Sequence, residues 1–507
     1  MPDASLRDQL FDEILRARQR VYAVRPPTPM ERVEIGTPAE VWVKREDQPP
    51  IHAYKWRGAY NRMATLSHED LARGVVCASA GNHAQGVAIA ARKLGCHATI
   101  FMPLPTPLMK RQAVAEHGRE HVTIQLVGDT YDQASQAAQD FSASQGTAFV
   151  HPYDDLVTMG GQGTIADEVV MSGKGPFDVA YLQIGGGGMA AAMACWLKHY
   201  FPDIRIVGVE AEGQASMKAA VEQGGPVPLD ELDIFCDGTA VQEAGRLTYP
   251  LCRELIDEFV TVSNEQVCSA IRMFWVWRRR IVEPAGALGL AGLLSQKDRL
   301  DHQRVLAVTC GANMDFSQLA VIAAEAGIGG VIRRHIRFEL GEEPGAMLQL
   351  IRAALGDCNI VDFQYGKTND RQGYPVIGFD APPEALAKVH EHCAHARIAY
   401  TDITDHEDVD FRVINYEPGT FQDPLFFRYQ FPERPGALLE FLQAIRPMAN
   451  LCYFNYAYTG ERIGRALVGL EFADASQRRA LIELLRTDPK LRHQHKALPQ
   501  AVLERML

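Results

Sequence analysis

The stretch VAYLQIGGGGMAAAMACWLKHY, residues 179–200, reads as a short apolar strand (179–184), four consecutive glycines and an apolar helix from Met189 to Tyr200. The strand has almost no polar alternation, so both of its faces should be buried, as in a parallel sheet held between helices. The same rhythm runs from about Leu6 to Ala326: VVCAS (75–79) precedes a helix over Ala84–Leu94, and HATIFMP (97–103), VTIQLVG (122–128), IRIVGVE (204–210) and RVLAVTC (304–310) repeat it. This alternation specifies an α/β domain with a mostly parallel sheet. The glycines Gly185, Gly186, Gly187 and Gly188 let backbone N–H groups converge at the start of the following helix, which makes a cup for a phosphate. The turn lacks the lysine and Ser/Thr of a nucleotide P-loop, so a monophosphate held without Mg²⁺ suits it better than ATP.

The rest of the composition bounds the class. At 507 residues the chain is long enough for roughly three domains. Its 47% hydrophobic and 22% charged residues are ordinary for a soluble protein. No run approaches the ~18 consecutive apolar residues that a membrane span needs. A formal charge of −12 argues against a nucleic-acid partner. The sharpest basic run, Arg278-Arg279-Arg280 beside Trp275 and Trp277, reads as a solvated or interface face. The ten cysteines are scattered without zinc-ligand spacing, so they read as core residues in a reducing compartment, and no catalytic metal is implied. The opening MPDASLRDQL has no apolar signal core, which makes the cytoplasm the expected location.

Beyond the cluster Gly327-Ile328-Gly329-Gly330, a plausible linker, the pattern changes to an internal repeat. EEPGAML (342–348) and ERPGALL (433–439) share five of seven residues, and NIVDFQY (359–365) and NLCYFNY (450–456) share three of seven at the same offset of 91. A constant offset across two separated blocks marks a duplicated module. Each copy reads as a strand (His335–Leu340; Phe427–Phe431), a Pro-Gly turn, a helix and a second strand beginning at Asn359 or Asn450. Amides at such a helix start could hold an amino-acid carboxylate, although the turns could equally serve only to start helices.

Two further segments carry chemistry. In VWVKREDQPPIHAYKWRGAYNRM (41–63), the charged residues Lys44, Arg45, Glu46 and Asp47 end a strand, and Lys55 sits between Tyr54 and Trp56 at a helix start. Apolar surroundings and the positive end of a helix both disfavour an ammonium, which turns a lysine into a nucleophile. Taken alone, Lys55 would read as a snorkelling surface lysine. The second segment, Ser79-Ala80-Gly81-Asn82-His83, leaves a strand and enters a helix, so its small residues and free amides suit a substrate carboxylate. Asn82 can donate to a phenolate oxygen, whereas His83 reads better as a packed core histidine than as an acid or base. Lys55, Asn82 and the tetraglycine together supply the aldehyde, phenolate and phosphate partners of pyridoxal phosphate.

On these residues, with GQGT (161–164), EPAGA (283–287) and CGAN (310–313), the chain resembles the fold type II pyridoxal-phosphate enzymes, and within them the biosynthetic threonine deaminase family. The resemblance covers nearly the whole chain. It implies a tryptophan synthase β-like α/β catalytic domain over 1–328, with a small subdomain inserted at about 58–155. Two α+β, ferredoxin-like, ACT-like regulatory modules follow, over 329–420 and 421–507. Lys55 is implied as the Schiff-base lysine and the base that removes the Cα proton, Asn82 as the partner of the ring phenolate, and Gly185 to Met189 as the phosphate site. Cys310 is implied as the ring-nitrogen partner, whose thiol cannot protonate the pyridine as an aspartate would, and residues 79–83 as the substrate-carboxylate site. The reaction implied is deamination of L-threonine to 2-oxobutanoate and ammonia, the first committed step of isoleucine biosynthesis. The implied effector is isoleucine, with valine in some members, and the assembly a homotetramer. An L-serine dehydratase or another β-eliminase of the same fold is the alternative, and a non-catalytic amino-acid sensor is a more distant one.

The chain departs from the family at Ala53 and Ala285, where serines are usual, and loss of two hydroxyls is expected to alter substrate contacts. Ala80 stands where the related serine racemases place a serine, which argues against racemisation. Glu283 could face the ring or be a buried, salt-bridged residue, and Gly238 a backbone position against the ring. Neither is assigned a catalytic role.

Overall fold

The computed structural model describes residues 5–326 apart from Thr37. Beyond these it describes 332–341, 346–355, 358–364, 372–381, 383–404, 406, 423–432, 437–445, 447–457, 463–488 and 495–498. The chain forms two compact units, Met1–Ala326 and Gly327–Leu507.

The N-terminal unit is built on two sheets. The larger has six strands in the order Met30–Val33, Glu40–Arg45, Arg304–Thr309, Val179–Gln183, Arg205–Ala211, Glu258–Val262. Only the edge pair Met30–Val33 and Glu40–Arg45 is antiparallel. Its central strand Val179–Gln183 is buried at every position, as the unbroken apolar reading requires. One face carries a core with Trp196, Leu251 and Met159, and the other a core with Phe274, Leu288 and Leu290.

The smaller sheet is wholly parallel, in the order Val122–Leu126, Ala98–Met102, Val75–Ala78, Ala148–Phe149. Val122–Leu126 departs from the both-faces-buried expectation: its residues alternate between half-buried and exposed. It is an edge strand, so one of its faces meets water.

Three helices fix the geometry between the sheets. Helix Asn82–Leu94 leaves strand Val75–Ala78, and at Gly86 it runs so close to the next segment that a Cβ would lie 3.0 Å from Trp56 Cα and 3.1 Å from Lys55 O. Helix Trp56–Met63 packs in turn on Leu156–Met171, whose N-terminus is capped by Asp155 accepting from Thr158 N.

In the C-terminal unit, strands Ile332–Phe338, Asn359–Gln364, Val376–Ala381 and Tyr400–Asp402 alternate with helices Ala346–Ala354 and Pro383–Ala396. The second copy runs Leu425–Pro432, helix Ala437–Ile445, Asn450–Ala457, Ile463–Glu471, helix Ala475–Thr487 and His495–Ala497. In both, the sheet is antiparallel with its strands in the spatial order second, third, first, fourth, which is the ferredoxin-like arrangement. Each copy has its own core, around Phe338, Leu350 and Phe379 in the first and Tyr429, Phe441 and Leu481 in the second. A register irregularity falls between Ile360 and Asp362 in one copy and between Leu451 and Tyr453 in the other, again 91 residues apart. Both Pro-Gly turns and the glycine cluster 327–330 lie outside the described residues.

Candidate active site

Lys55 is the residue immediately before helix Trp56–Met63. Residues just N-terminal to it pair with the end of strand Arg304–Thr309: Tyr54 N donates to Cys310 O at 3.2 Å, Ala312 N donates to His52 O at 2.9 Å, and Ala53 bridges Gly311. This short antiparallel contact ties Lys55 to the CGAN turn. With only the packed cleft around it, the Lys55 ammonium is disfavoured by burial, and its pKa falls to about 8 although Cys310 and Glu283 pull it upward.

The cleft encloses about 470 Å³ counting its open mouth, and Lys55, Asn82, Gly185 to Gly188, Met189 and Cys310 all line it. The tetraglycine is shaped as a cradle. Gly187 has φ +92°, a left-handed conformation that side chains rarely adopt, and it precedes the helix Gly188–Tyr200. A Cβ on Gly186 would lie 2.3 Å from the Tyr153 ring, so the loop approaches its surroundings closely only because it has no side chains.

Asn82 is clamped from both sides. Its Oδ1 accepts from Asn313 Nδ2 at 2.8 Å, and its Nδ2 donates to Glu283 Oε1 at 2.7 Å, which leaves one amide hydrogen for another acceptor. Glu283 accepts in addition from Asn313 N at 2.8 Å. Burial, reinforced by Asp237, raises its carboxyl to about 7. The partners found for Glu283 are therefore amides, and the salt-bridged reading gives way to an amide clamp. The Cys310 thiol donates to Ala285 O at 3.5 Å and is pushed up to about 12, mainly by burial, so it stays a neutral thiol.

The fit to pyridoxal phosphate is good on three counts: a desolvated amine, an oriented amide with a spare donor, and a side-chain-free cup at the start of a 13-residue helix.

The structure places the remaining expected residues around the cleft. Of residues 79–83 only Asn82 lines the cleft. Ser79 Oγ is used inside the turn, accepting from Gly81 N at 3.2 Å, and Ala80 is buried. His83 Nε2 lies 2.8 Å from Val150 O and burial lowers its pKa to about 3, so it is a neutral core histidine. A carboxylate would have to be taken at this loop by backbone amides at the helix start, which has no side-chain cap. Ala53 belongs to an apolar cluster with Val21, Ile51, Trp56 and Ile89. Neither it nor Ala285 lines the cleft itself, but Ala285 Cβ would lie 2.9 Å from a Cβ on Gly238, which does.

Gly238 lines the cleft as expected, and beside it are residues to which no role was given: Thr239 and Val241, with Tyr153 and Gln183. Gln183 donates to Val308 O at 3.1 Å and lies beside the Cys310 thiol. A polar residue in the otherwise apolar strand VAYLQI was the one available signal for it.

Below the cleft is a buried charge network. Arg57 donates to Glu46 (2.9 and 3.0 Å) and to Glu168 (2.5 and 3.1 Å), while Lys44 reaches Glu168 at 2.5 Å and Thr28 O at 2.7 Å. Burial favours the neutral form of Glu168, but Arg57 and Lys44 outweigh it and hold the carboxyl below its ordinary range. Lys44 and Glu46 of the KRED run, with Glu168, thus anchor the lysine helix through Arg57, two residues beyond Lys55.

Comparison with known proteins agrees with this geometry. A family model described as pyridoxal-phosphate dependent enzyme matches residues 22–311, and one described as the C-terminal regulatory domain of threonine dehydratase matches residues 421–495. The chain is 36% identical over 442 residues to the biosynthetic L-threonine dehydratase of Burkholderia multivorans, covering 86% of this chain and 87% of that protein. It is 33% identical to the Escherichia coli biosynthetic L-threonine dehydratase, covering 91% of each. Among solved structures, the processed form of threonine deaminase isoform 2 from Solanum lycopersicum superposes with a TM-score of 0.61 at 38% identity, over 63% of this chain and 94% of that one. Maize serine racemase has a TM-score of 0.57 at 27% identity, over 62% of this chain and 96% of that one.

Proposed function

The chain belongs to the threonine dehydratase family of pyridoxal-phosphate-dependent enzymes, and from that premise we propose that it deaminates L-threonine to 2-oxobutanoate and ammonia by loss and return of water. The observation that carries this reading is Lys55, a lysine lowered to about 8 by burial, in one cleft with Asn82 and the glycine cup. Bound there, pyridoxal phosphate supplies an aldehyde for the substrate amine and an electron sink for the Cα carbanion.

The residues of the chain do the rest. Gly185 to Met189 hold the phosphate through backbone amides and the helix start. The spare amide hydrogen of Asn82 fixes the phenolate side of the ring. Lys55, once free and neutral, takes the Cα proton, which its lowered pKa permits near neutral pH. Cys310, raised to about 12, is too weak an acid to protonate a ring nitrogen beside it, a setting that would favour loss of the β-hydroxyl over transamination. Water returns when the enamine left by β-elimination hydrolyses. The substrate carboxylate is assigned to the backbone amides at the start of helix Asn82–Leu94.

The reading is tested by incubating holoprotein with threonine and with serine and assaying keto acid. Production of 2-oxobutanoate from threonine is expected, and its absence would sink the proposal, pyruvate from serine alone favouring the dehydratase alternative. Gly186→Ala should weaken cofactor binding about tenfold or more, since overpacking against Tyr153 costs about 1–3 kcal/mol. Equilibrium dialysis of cofactor against the variant checks this.

The C-terminal unit is proposed to take an amino-acid effector, isoleucine as inhibitor and valine as activator, supported by the match of residues 421–495 and the repeated module. An effector acts only through a difference in its affinity for two arrangements of the protein. Isoleucine should inhibit the full chain and not a 1–328 truncation. Equal response in both would remove that role from the C-terminal unit. Among the described residues no helix is long and apolar enough to cross a membrane, and a cytoplasmic homotetramer is proposed on the family resemblance.

A further inference from the structure

One wall of the cleft is formed by Gly238, Thr239 and Val241, which lie between helices Ser216–Gln223 and Thr248–Leu255 in a stretch with no helix or strand. Such a wall needs footings. Two lie on the side of the larger sheet and its neighbouring turns: Thr239 Oγ1 is 3.0 Å from Gln214 Oε1, and Gln214 Nε2 donates to Asp233 O at 2.7 Å. A third is Asp154, whose carboxylate accepts from Arg246 N at 3.0 Å and Leu247 N at 2.8 Å.

The fourth crosses the cleft. Asp237 pairs with Lys110 in the first turn of helix Leu108–Gly118, which packs on helix Asn82–Leu94 and strand Val122–Leu126 of the smaller sheet. The two side chains are only 10% and 21% exposed, so the pair is more than a solvated surface contact. The residue after Asp237 touches the site itself: a Cβ on Gly238 would lie 2.9 Å from Ala285 Cβ, 3.4 Å from Glu283 Oε1 and 3.9 Å from Asn82 Nδ2. Holding Asp237 therefore holds the Gly238 backbone over the Asn82 clamp.

We propose that Lys110 is a positioning residue: by gripping Asp237 from the opposite sheet it straps the 236–241 wall across the cleft and sets the affinity for the amino-acid substrate. This rests on the reading of the cleft as an amino-acid lyase site. Lys55 is held by a separate contact, to the CGAN turn, whereas Gly185 of the cup packs on the wall itself, where a Cβ would lie 2.9 Å from Thr239 Cα. Release of the strap loosens the wall without displacing the base, so the effect falls on KM.

The test compares full-length holoprotein with Lys110→Met and Lys110→Arg, by amide hydrogen exchange over residues 236–241 and by threonine kinetics. Lys110→Met should speed exchange in that segment and raise KM about tenfold, the value of one lost interaction of about 1.4 kcal/mol, with a much smaller change in kcat. Lys110→Arg, which keeps the charge, should restore both. Unchanged exchange in Lys110→Met overturns the strap, as does altered exchange with unchanged KM. Equal effects in both variants also overturn it, because they would show packing rather than ion pairing. Should the wild-type protein not turn over threonine, the activity reading fails and the exchange comparison alone decides the strap.

Discussion

Lys55→Ala protein is expected to make no measurable 2-oxobutanoate from threonine and to stay colourless when supplied with cofactor. The substitution removes both the amine that binds the aldehyde and the base for the Cα proton, and base catalysis alone contributes about 10²–10⁴-fold. A fall of at least about 10³-fold in kcat/KM is the expected magnitude. The visible band of the wild-type protein, lost on borohydride reduction, is the companion measurement. A variant with the same spectrum as the wild type would show that another residue carries the aldehyde. The fold should survive, because Lys55 makes no ion pair among the described residues and its helix is held by Arg57 and by the packing of Gly86.

Arg57→Leu is expected to give the largest loss of stability. It would leave Glu46 and Glu168, whose side chains are each 1% exposed, with Lys44 as their remaining close cation. Breaking a buried pair by removing one partner costs about 3–5 kcal/mol, since the stranded charge has no water to return to. Thermal and urea unfolding of wild type and variant check the value, and a difference below about 1 kcal/mol would mean that the site admits water.

The pH dependence follows from Glu168. Its folded pKa lies below its unfolded one, so its contribution to stability is complete above the ordinary carboxylate range and is lost as pH falls through the folded value. The gap between wild type and Arg57→Leu should thus be full at neutral pH and close in acid.

How far the sequence disclosed this molecule differs from one part to another. Strands such as Val179–Gln183 and Arg304–Thr309 were legible because both faces are buried and the apolar run is unbroken. The cleft residues on recognisable turns, Lys55, Asn82 and the glycines, were legible for the same local reason: each stands where a helix begins. Tyr153 was not, because it is brought to the cleft by a segment without a motif of its own, and Thr239 and Val241 were signalled only through their neighbour Gly238. Nor was the Lys110–Asp237 pair, formed between residues 127 positions apart. The network under Lys55 left one trace, since a carboxylate pair inside the apolar run IADEVV (165–170) implies a buried cation to meet it. His83 was legible as core, and of the loop around it only Asn82 was placed on the cleft by its side chain.

The paired irregularities at Ile360/Asp362 and Leu451/Tyr453 bear on ancestry. An extra residue in a strand disrupts the ladder and turns the side chains beyond it to the other face. Two sheets of independent origin have no physical reason to put that defect at the same step of the same strand. Its recurrence at the same offset is what a single irregular parent, copied with the extra residue already in place, would leave in the two C-terminal modules. The pairing that follows the break repeats at that spacing, Asp362 opposite Gly378 in one copy and Tyr453 opposite Gly469 in the other, so divergence between the copies is best read pair by pair across the second and third strands.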